Sequence, residues 1–154
     1  MAVSREKFLR VLRKFTKVGL DSSIAIYHLE DIAPYADLTE VAFAAIAGGA
    51  PTAVLSTISV TELLVKPFAE ERRDLVAACE RFLLALPNAA IVPPSYAVAK
   101  EAARLRARYG VRTPDALLVA TALHERAGAF LTNDIRLRKL AAEGIAVIVL
   151  EDYV

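Results

Sequence analysis

Four carboxylates in this 154-residue chain stand where acids can do chemistry. Asp21 directly follows the apolar run Val18–Leu20. Glu62 falls in the first turn of a helix-like stretch, Val60–Lys66, after the run Ala53–Ser56. Asp115 falls in the first turn of the helical stretch Pro114–Ala127. Asp134 closes Leu131-Thr132-Asn133-Asp134, just past the run Ala129–Leu131. Most of the other acids among the 18 sit on helix surfaces beside Arg or Lys. Carboxylates drawn together repel and are costly unless a cation neutralises them. Their hard oxygens, with one Cys and no His pair, suit Mg²⁺ or Mn²⁺ rather than zinc. Such an ion supplies what phosphodiester hydrolysis needs, an activated water and an offset for charge growing on the phosphate.

Each acid alone also has an ordinary structural reading. Ser59-Val60-Thr61-Glu62 matches the capping box S-x-x-E. Thr113-Pro114-Asp115 reads as N-cap, first-turn Pro and an acid favoured by the helix dipole. Asp134 is placed to cap Ile135–Ala142, and Asp21 to cap Ser22–Leu29. Convergence separates four caps from one site, and convergence depends on the elements that carry them.

Five short apolar runs alternate with helix-period segments. The runs are Val18–Leu20, Ala53–Ser56, Ala90–Val92, Ala129–Leu131 and Ala146–Leu150. Between them Ser22–Leu29, Leu38–Ala47, Val60–Lys66, Glu70–Leu84, Tyr96–Tyr109, Pro114–Ala127 and Ile135–Ala142 read as helical. Gly48-Gly49, Pro67, Pro87-Asn88, Gly110, Gly128 and Gly144 punctuate them. Strands alternating with helices predict a parallel sheet with helices on both faces, and the strands read as continuously apolar, as buried strands do. Right-handed crossovers place every strand's C-terminal end on one edge, where ligands bind in open α/β sheets. Asp21, Glu62 and Asp134 reach that edge directly. Asp115 must be carried there by the loop before its helix. The first and fourth strands are central neighbours if the strand order reverses between them.

The chain is 56% hydrophobic and 24% charged, enough apolar material for one core and incompatible with disorder. No apolar run reaches the roughly 18 residues that cross a membrane. The N-terminus lacks the apolar segment of a secretory signal, so a cytoplasmic protein is expected. A lone Cys79 excludes an internal disulfide and a Cys-based zinc site, and its expected role is a small buried apolar residue. The net charge of +1 hides an asymmetry. Residues 1–18 hold six basic groups and one acid; the rest hold 13 basic and 17 acidic groups. A basic amphipathic extension, 1–17, is therefore expected to precede a domain spanning 18–154. Phe8, Leu12 and Phe15 form an apolar stripe that docks it, and its charge suits an anionic partner such as RNA.

The two histidines are best read as a helix-end polar residue (His28) and a surface residue (His124), which leaves no Ser-His-Asp arrangement. Gly48-Gly49 stops a helix and is no phosphate loop. Arg104, Arg106, Arg108 and Arg112 either line an RNA path or form a solvated helix face. Tyr27 and Tyr109 are expected in core or rim packing rather than stacked on bases.

At these residues the chain resembles PIN-domain proteins, and in particular the toxin nucleases of VapBC-type toxin–antitoxin pairs. The resemblance lies in Leu20-Asp21-Ser22-Ser23-Ile24-Ala25-Ile26-Tyr27, Ser59-Val60-Thr61-Glu62-Leu63-Leu64, Thr113-Pro114-Asp115-Ala116-Leu117-Leu118-Val119-Ala120-Thr121-Ala122 and Phe130-Leu131-Thr132-Asn133-Asp134. Order and spacing agree over about residues 18–152. The resemblance implies a three-layer α/β/α fold with a five-stranded parallel sheet and Mg²⁺- or Mn²⁺-dependent endoribonuclease activity. It maps the family's acidic quartet onto Asp21, Glu62, Asp115 and Asp134. It maps the small polar residue before the last acid, in a water-holding role, onto Thr132 or Asn133. It also implies a homodimer blocked by an antitoxin protein. The basic stretch 1–17 departs from the family, whose domain begins near its first strand.

Other functions fit the pattern less well. A nuclease of RNA maturation outside a toxin pair would lack a small DNA-binding partner encoded beside it. A phosphoacceptor domain built on Asp21 requires a late-strand Lys, and Ala146–Leu150 has none. A binding module that keeps the fold without catalysis does not require the complete quartet.

Overall fold

The five apolar runs form one parallel sheet in a computed structural model that describes residues 3–154. The strands are β1 (Lys17–Leu20), β2 (Thr52–Ser56), β3 (Ala89–Val92), β4 (Ala129–Thr132) and β5 (Ala146–Val149). Their order is β3-β2-β1-β4-β5. The chain winds outward from β1 to β3, then returns to start β4 on the other side of β1. Val18, Gly19 and Leu20 pair in register with Ala129, Phe130 and Leu131. The strand order thus reverses between β1 and β4, which makes their carboxyl ends the switch-point crevice of the sheet.

Seven helices accompany the strands: α1 (Arg5–Leu12), α2 (Ser22–Leu29), α3 (Tyr35–Ala47), α4 (Thr57–Ala69), α5 (Arg73–Ala85), α6 (Tyr96–Tyr109) and α7 (Thr113–His124). Two 3₁₀ segments, Ile135–Glu143 and Leu150–Tyr153, complete the described residues. Successive strand side chains feed two cores, as the pleat requires. Leu20, Leu55 and Leu131 pack with Phe8, Ile24, Leu38 and Ile46 on one face. Val54 and Phe130 pack with Leu105, Val119 and Leu140 on the other. The architecture is the expected three-layer α/β/α sandwich.

One close approach sets the position of α7. A Cβ on Gly19 would stand 2.5 Å from the Cβ of Ala122. Only glycine lets α7 lie this near to β1, and α7 carries Asp115.

Several sequence expectations need correction. The helix expected to start at Val60 starts at Thr57, because Ser56 caps it by accepting the Ile58 amide at 3.1 Å. Ser59 is therefore no N-cap and Glu62 lies in the second turn, so the capping box does not form. The same helix runs through Pro67 to Ala69; proline removes one hydrogen bond, and the helix ends two residues later. The next helix begins at Arg73 rather than Glu70, after Glu71 turns with φ +54°. α7 takes Arg112, not Thr113, as its N-cap and ends at His124. The segment Ile135–Glu143 is 3₁₀ rather than α-helical, closed by Gly144 at φ +85°.

The basic extension docks along its apolar stripe. Phe8 and Leu12 are fully buried, and Phe15 is half-buried. The Ser4 amide donates to the Tyr153 carbonyl at 2.7 Å, and the Phe8 and Tyr153 rings meet edge to face at 5.2 Å. Arg5 donates to Glu40 on α3 at 2.7 Å. Residues 1 and 2 of the 1–17 extension lie outside the described residues. Phe8→Ala is expected to cost about 3–5 kcal/mol in urea unfolding, as truncation of a buried aromatic does. A loss below about 1 kcal/mol would mean that α1 is not part of the cooperative core.

Candidate functional site

The four acids line one cleft at the carboxyl edge of the sheet, a cavity of about 540 Å³. β1 delivers Asp21. Its amide extends the ladder to β4 by donating to the Leu131 carbonyl at 2.9 Å. Asp21 is the N-cap residue of α2, yet its side chain makes no capping bond. Its Oδ2 instead accepts the Thr132 hydroxyl at 2.5 Å, and both residues are buried. The same Thr132 oxygen accepts the Asp134 amide at 3.0 Å. One threonine at the end of β4 thus ties together the two acids that flank the switch point.

Glu62 arrives from α4. Its Oε1 accepts the Ser22 hydroxyl at 2.7 Å. Ser22 Oγ lies 2.8 Å from Ser59 Oγ, and since the Ser22 proton is committed to Glu62, Ser59 donates to Ser22. This short relay fixes the carboxylate and joins α2 to α4. Asp115 comes from the first turn of α7 and is 9% exposed. Arg112 Nε donates to its Oδ2 at 3.3 Å. Asp134 does cap the following 3₁₀ segment, accepting the Arg136 amide at 3.0 Å. Its two oxygens also face the Arg136 guanidinium, at 2.9 and 2.7 Å.

Electrostatics separates the acids. Burial pushes the Asp21 carboxyl up to about 6; the bond from Thr132 opposes this, and the negative Asp115 and Glu62 add to it. Asp134 moves the other way, held down by its bonds from Arg136. Ser23 Oγ, on the cleft wall, is the one buried side-chain polar atom without a partner among the described residues.

These observations test the fit of a divalent cation. The cleft offers only hard oxygen donors, and one carboxylate in it is under-compensated for its burial. Both features suit Mg²⁺ or Mn²⁺. Two of the acids, however, are turned toward guanidinium groups. Asp115 pairs with Arg112 and Asp134 with Arg136, and among the described residues no three His, Cys, Asp or Glu side chains are grouped closely enough to hold an ion as they stand.

Asn133 Oδ1 accepts the Glu151 amide at 2.9 Å, and its Nδ2 donates to Tyr27 at 3.4 Å, so it braces the cleft rim. Tyr27 lines the cleft and stacks on Tyr35 at 4.9 Å. Tyr109 donates to Glu143 at 2.5 Å. His28 does more than end a helix: it packs against Phe43 and Phe82, and burial lowers its pKa. His124 is exposed. Cys79 is half-buried rather than buried. Of the arginine run, Arg104 pairs with Glu101 and Glu143, Arg106 donates to the Val111 carbonyl, and only Arg112 enters the cleft. Sequence reasoning missed Ser22, Ser59 and Arg136. The signal for each was adjacency: a serine next to Asp21, a serine three residues before Glu62, an arginine two residues after Asp134.

A parallel sheet whose switch point gathers four carboxylates defines a class of α/β proteins with an acidic crevice. The sequence model of the PIN domain family matches residues 18–143, and the chain belongs to that family. Similar solved structures include VapBC from Salmonella typhimurium bound to DNA, at 18% identity over 87% of this chain and 98% of that one, with a TM-score of 0.66. VapBC2 from Rickettsia felis bound to a promoter DNA fragment gives 18% identity over 85% and 96%, with a TM-score of 0.65. FitAcB from Neisseria gonorrhoeae gives 20% identity over 88% and 98%, with a TM-score of 0.64. At these identities the likeness is one of fold. Among curated proteins no match is found. No described helix is long and apolar enough to cross a membrane.

The raised Asp21 carboxyl has a signed consequence. Between the ordinary 3.8 and about 6, the folded protein holds a proton that the unfolded chain has lost. Metal-free stability attributable to Asp21 therefore falls as pH rises through that window, by about 3 kcal/mol at ~1.4 kcal/mol per unit. Urea unfolding in chelator from pH 4 to 7 should show the wild type losing stability relative to Asp21→Asn. Parallel curves would contradict the assignment.

Proposed function

We propose that this protein is a divalent-metal-dependent endoribonuclease, the toxin of a toxin–antitoxin pair. Asp21, Glu62, Asp115 and Asp134 hold the ion, and the observation that carries the reading is the buried Asp21 carboxylate facing two further acids without a compensating cation. Mg²⁺ or Mn²⁺, when bound, supplies Lewis-acid polarisation of the phosphate and activation of the hydrolytic water. The chain's own groups do the positioning. Thr132 fixes the Asp21 oxygens, Ser22 fixes Glu62, and Asn133 braces the rim beside Tyr27.

RNA as substrate follows the family resemblance and the net positive charge of residues 1–18. A toxin role under antitoxin control is supported by the similar structures, two of which are described as toxin–antitoxin complexes or systems. A homodimer is proposed on the family resemblance, and a cytoplasmic location on the sequence of residues 1–18.

The test is cleavage of a mixed RNA pool with Mn²⁺, with Mg²⁺ and with chelator. Wild type should cut only with metal. Asp21→Asn should lose about 100-fold or more, since an ion's charge stabilisation amounts to several kcal/mol. Thr132→Val should lose about 10–100-fold, as removal of a group that orients a metal ligand does. Cleavage that persists in chelator, or that survives intact in Asp21→Asn, would contradict the reading.

A further inference from the structure

The acids do not face solvent alone. Arg112, the N-cap of α7, donates to Asp115, and Arg136 donates through three nitrogen contacts to Asp134. Both arginines line the cleft, and both side chains are 68% exposed while their acidic partners are 12% and 23% exposed. The charges also act across the two pairs without contact: Arg112 favours the charged form of Asp134, and Asp115 that of Arg136. Two guanidinium groups and two carboxylates therefore form one four-charge cluster at the mouth of the cleft.

We propose that Arg112 and Arg136 are exchangeable counter-ions: they balance Asp115 and Asp134 when no cation is bound, and move onto substrate phosphates when one is. The inference rests on the reading of the four acids as metal ligands. It follows from three properties of the cluster. The guanidinium end of each pair is solvated while its carboxylate is largely buried, so each guanidinium leaves at little cost once a cation takes over its carboxylate. A guanidinium stays charged at any working pH, so a released one remains a cation seeking an anion. Its planar fork matches two phosphate oxygens as well as it matches a carboxylate, and the arginines stand at the cleft mouth, where the backbone of a bound strand must pass. Arg136 is the better placed, because its Nε and Nη2 already present such a fork to Asp134.

The exchange has two effects of opposite sign. Removing both guanidinium groups strips competitors from the carboxylates, so metal binding tightens. Removing them also strips phosphate partners, so RNA binding weakens. The double variant Arg112→Gln/Arg136→Gln should bind Mn²⁺ about three- to tenfold more tightly than wild type in calorimetry without RNA. RNA binding is read by anisotropy with a fluorescein-labelled, cleavage-resistant single-stranded 2′-O-methyl phosphorothioate RNA of about 20 nucleotides, at saturating Mn²⁺ with all four acids intact. There the double Gln variant should bind about tenfold more weakly. The slope of log K against log salt should shrink by about 0.7 for each lost phosphate contact on a single strand. The double Lys variant keeps the charge and loses the fork, so its salt slope should stay near that of wild type while its affinity falls between the two.

The outcomes separate the two levels. If wild type binds no Mn²⁺, the metal-site reading fails and the exchange with it. If wild type binds Mn²⁺ but the folded double Gln variant binds it no more tightly, the counter-ion role is overturned and the site stands. If RNA affinity and salt slope are unchanged, the phosphate role is overturned. A double Gln variant whose melting curve shows it unfolded is replaced by the single Arg136→Gln variant. Arg136 contributes no backbone cap to α7, and the same two signs are required of its variant.

Discussion

A carboxylate buried beside two others is the constraint around which this fold is arranged. Asp21 is 8% exposed, and Asp115 and Glu62 add their charge to the cost of that burial. Among the described residues no cationic group touches Asp21, and its one side-chain partner is a hydroxyl. A protein optimised only for stability would replace such a group with an apolar or neutral residue. The surrounding structure holds it rigidly in place. β1 ends there because the Asp21 amide finishes the ladder to β4, and Thr132 meets its oxygen from the neighbouring strand end. Gly19 lets α7 approach closely enough to bring Asp115 to the same cleft. The α2–α4 contact through Ser22 and Ser59 supplies Glu62.

The four acids are not equivalent. Asp21 and Glu62 are oriented by hydroxyls, which hold a carboxylate without neutralising it. Asp115 and Asp134 are oriented by guanidinium groups, which hold it and neutralise it. The inner half of the site thus keeps its negative charge, and the outer half has its charge balanced by arginine. Thr132 couples the halves, since its oxygen receives the Asp134 amide while its proton goes to Asp21.

Much of this was legible in the sequence. Five apolar runs in alternation with helical periods specified the parallel sheet, and the right-handed crossover rule sent Asp21, Glu62 and Asp134 to one edge. Helices α2 and α6 ended where Ser22–Leu29 and Tyr96–Tyr109 said they would. The misreadings have local causes. Ser59 looked like a cap because S-x-x-E is a local pattern, and only the fold shows that Ser56 takes that role and leaves Ser59 to a partner 37 residues away. Pro67 looked like a stop because a helix can absorb one proline only when its neighbours are packed, which a sequence does not display. The crossover from β4 to β5 had the composition of an α-helix but folds as 3₁₀. The ion pairs of Arg112 and Arg136 lie within three residues of their acids, yet a sequence full of arginines beside acids gives no reason to single them out.

Melting the wild-type protein against Mn²⁺ at neutral pH tests the cation requirement most directly. A ligand that binds only the folded state at about 100 times its Kd adds ~2.7 kcal/mol, which for a chain of this size raises Tm by about 5–10 °C. That rise is expected for wild type, should reverse with chelator, and should be largely lost in an Asp21→Asn/Glu62→Gln double variant. A wild-type Tm indifferent to Mn²⁺, or an equal rise in the double variant, would contradict the assignment of these carboxylates to a metal site.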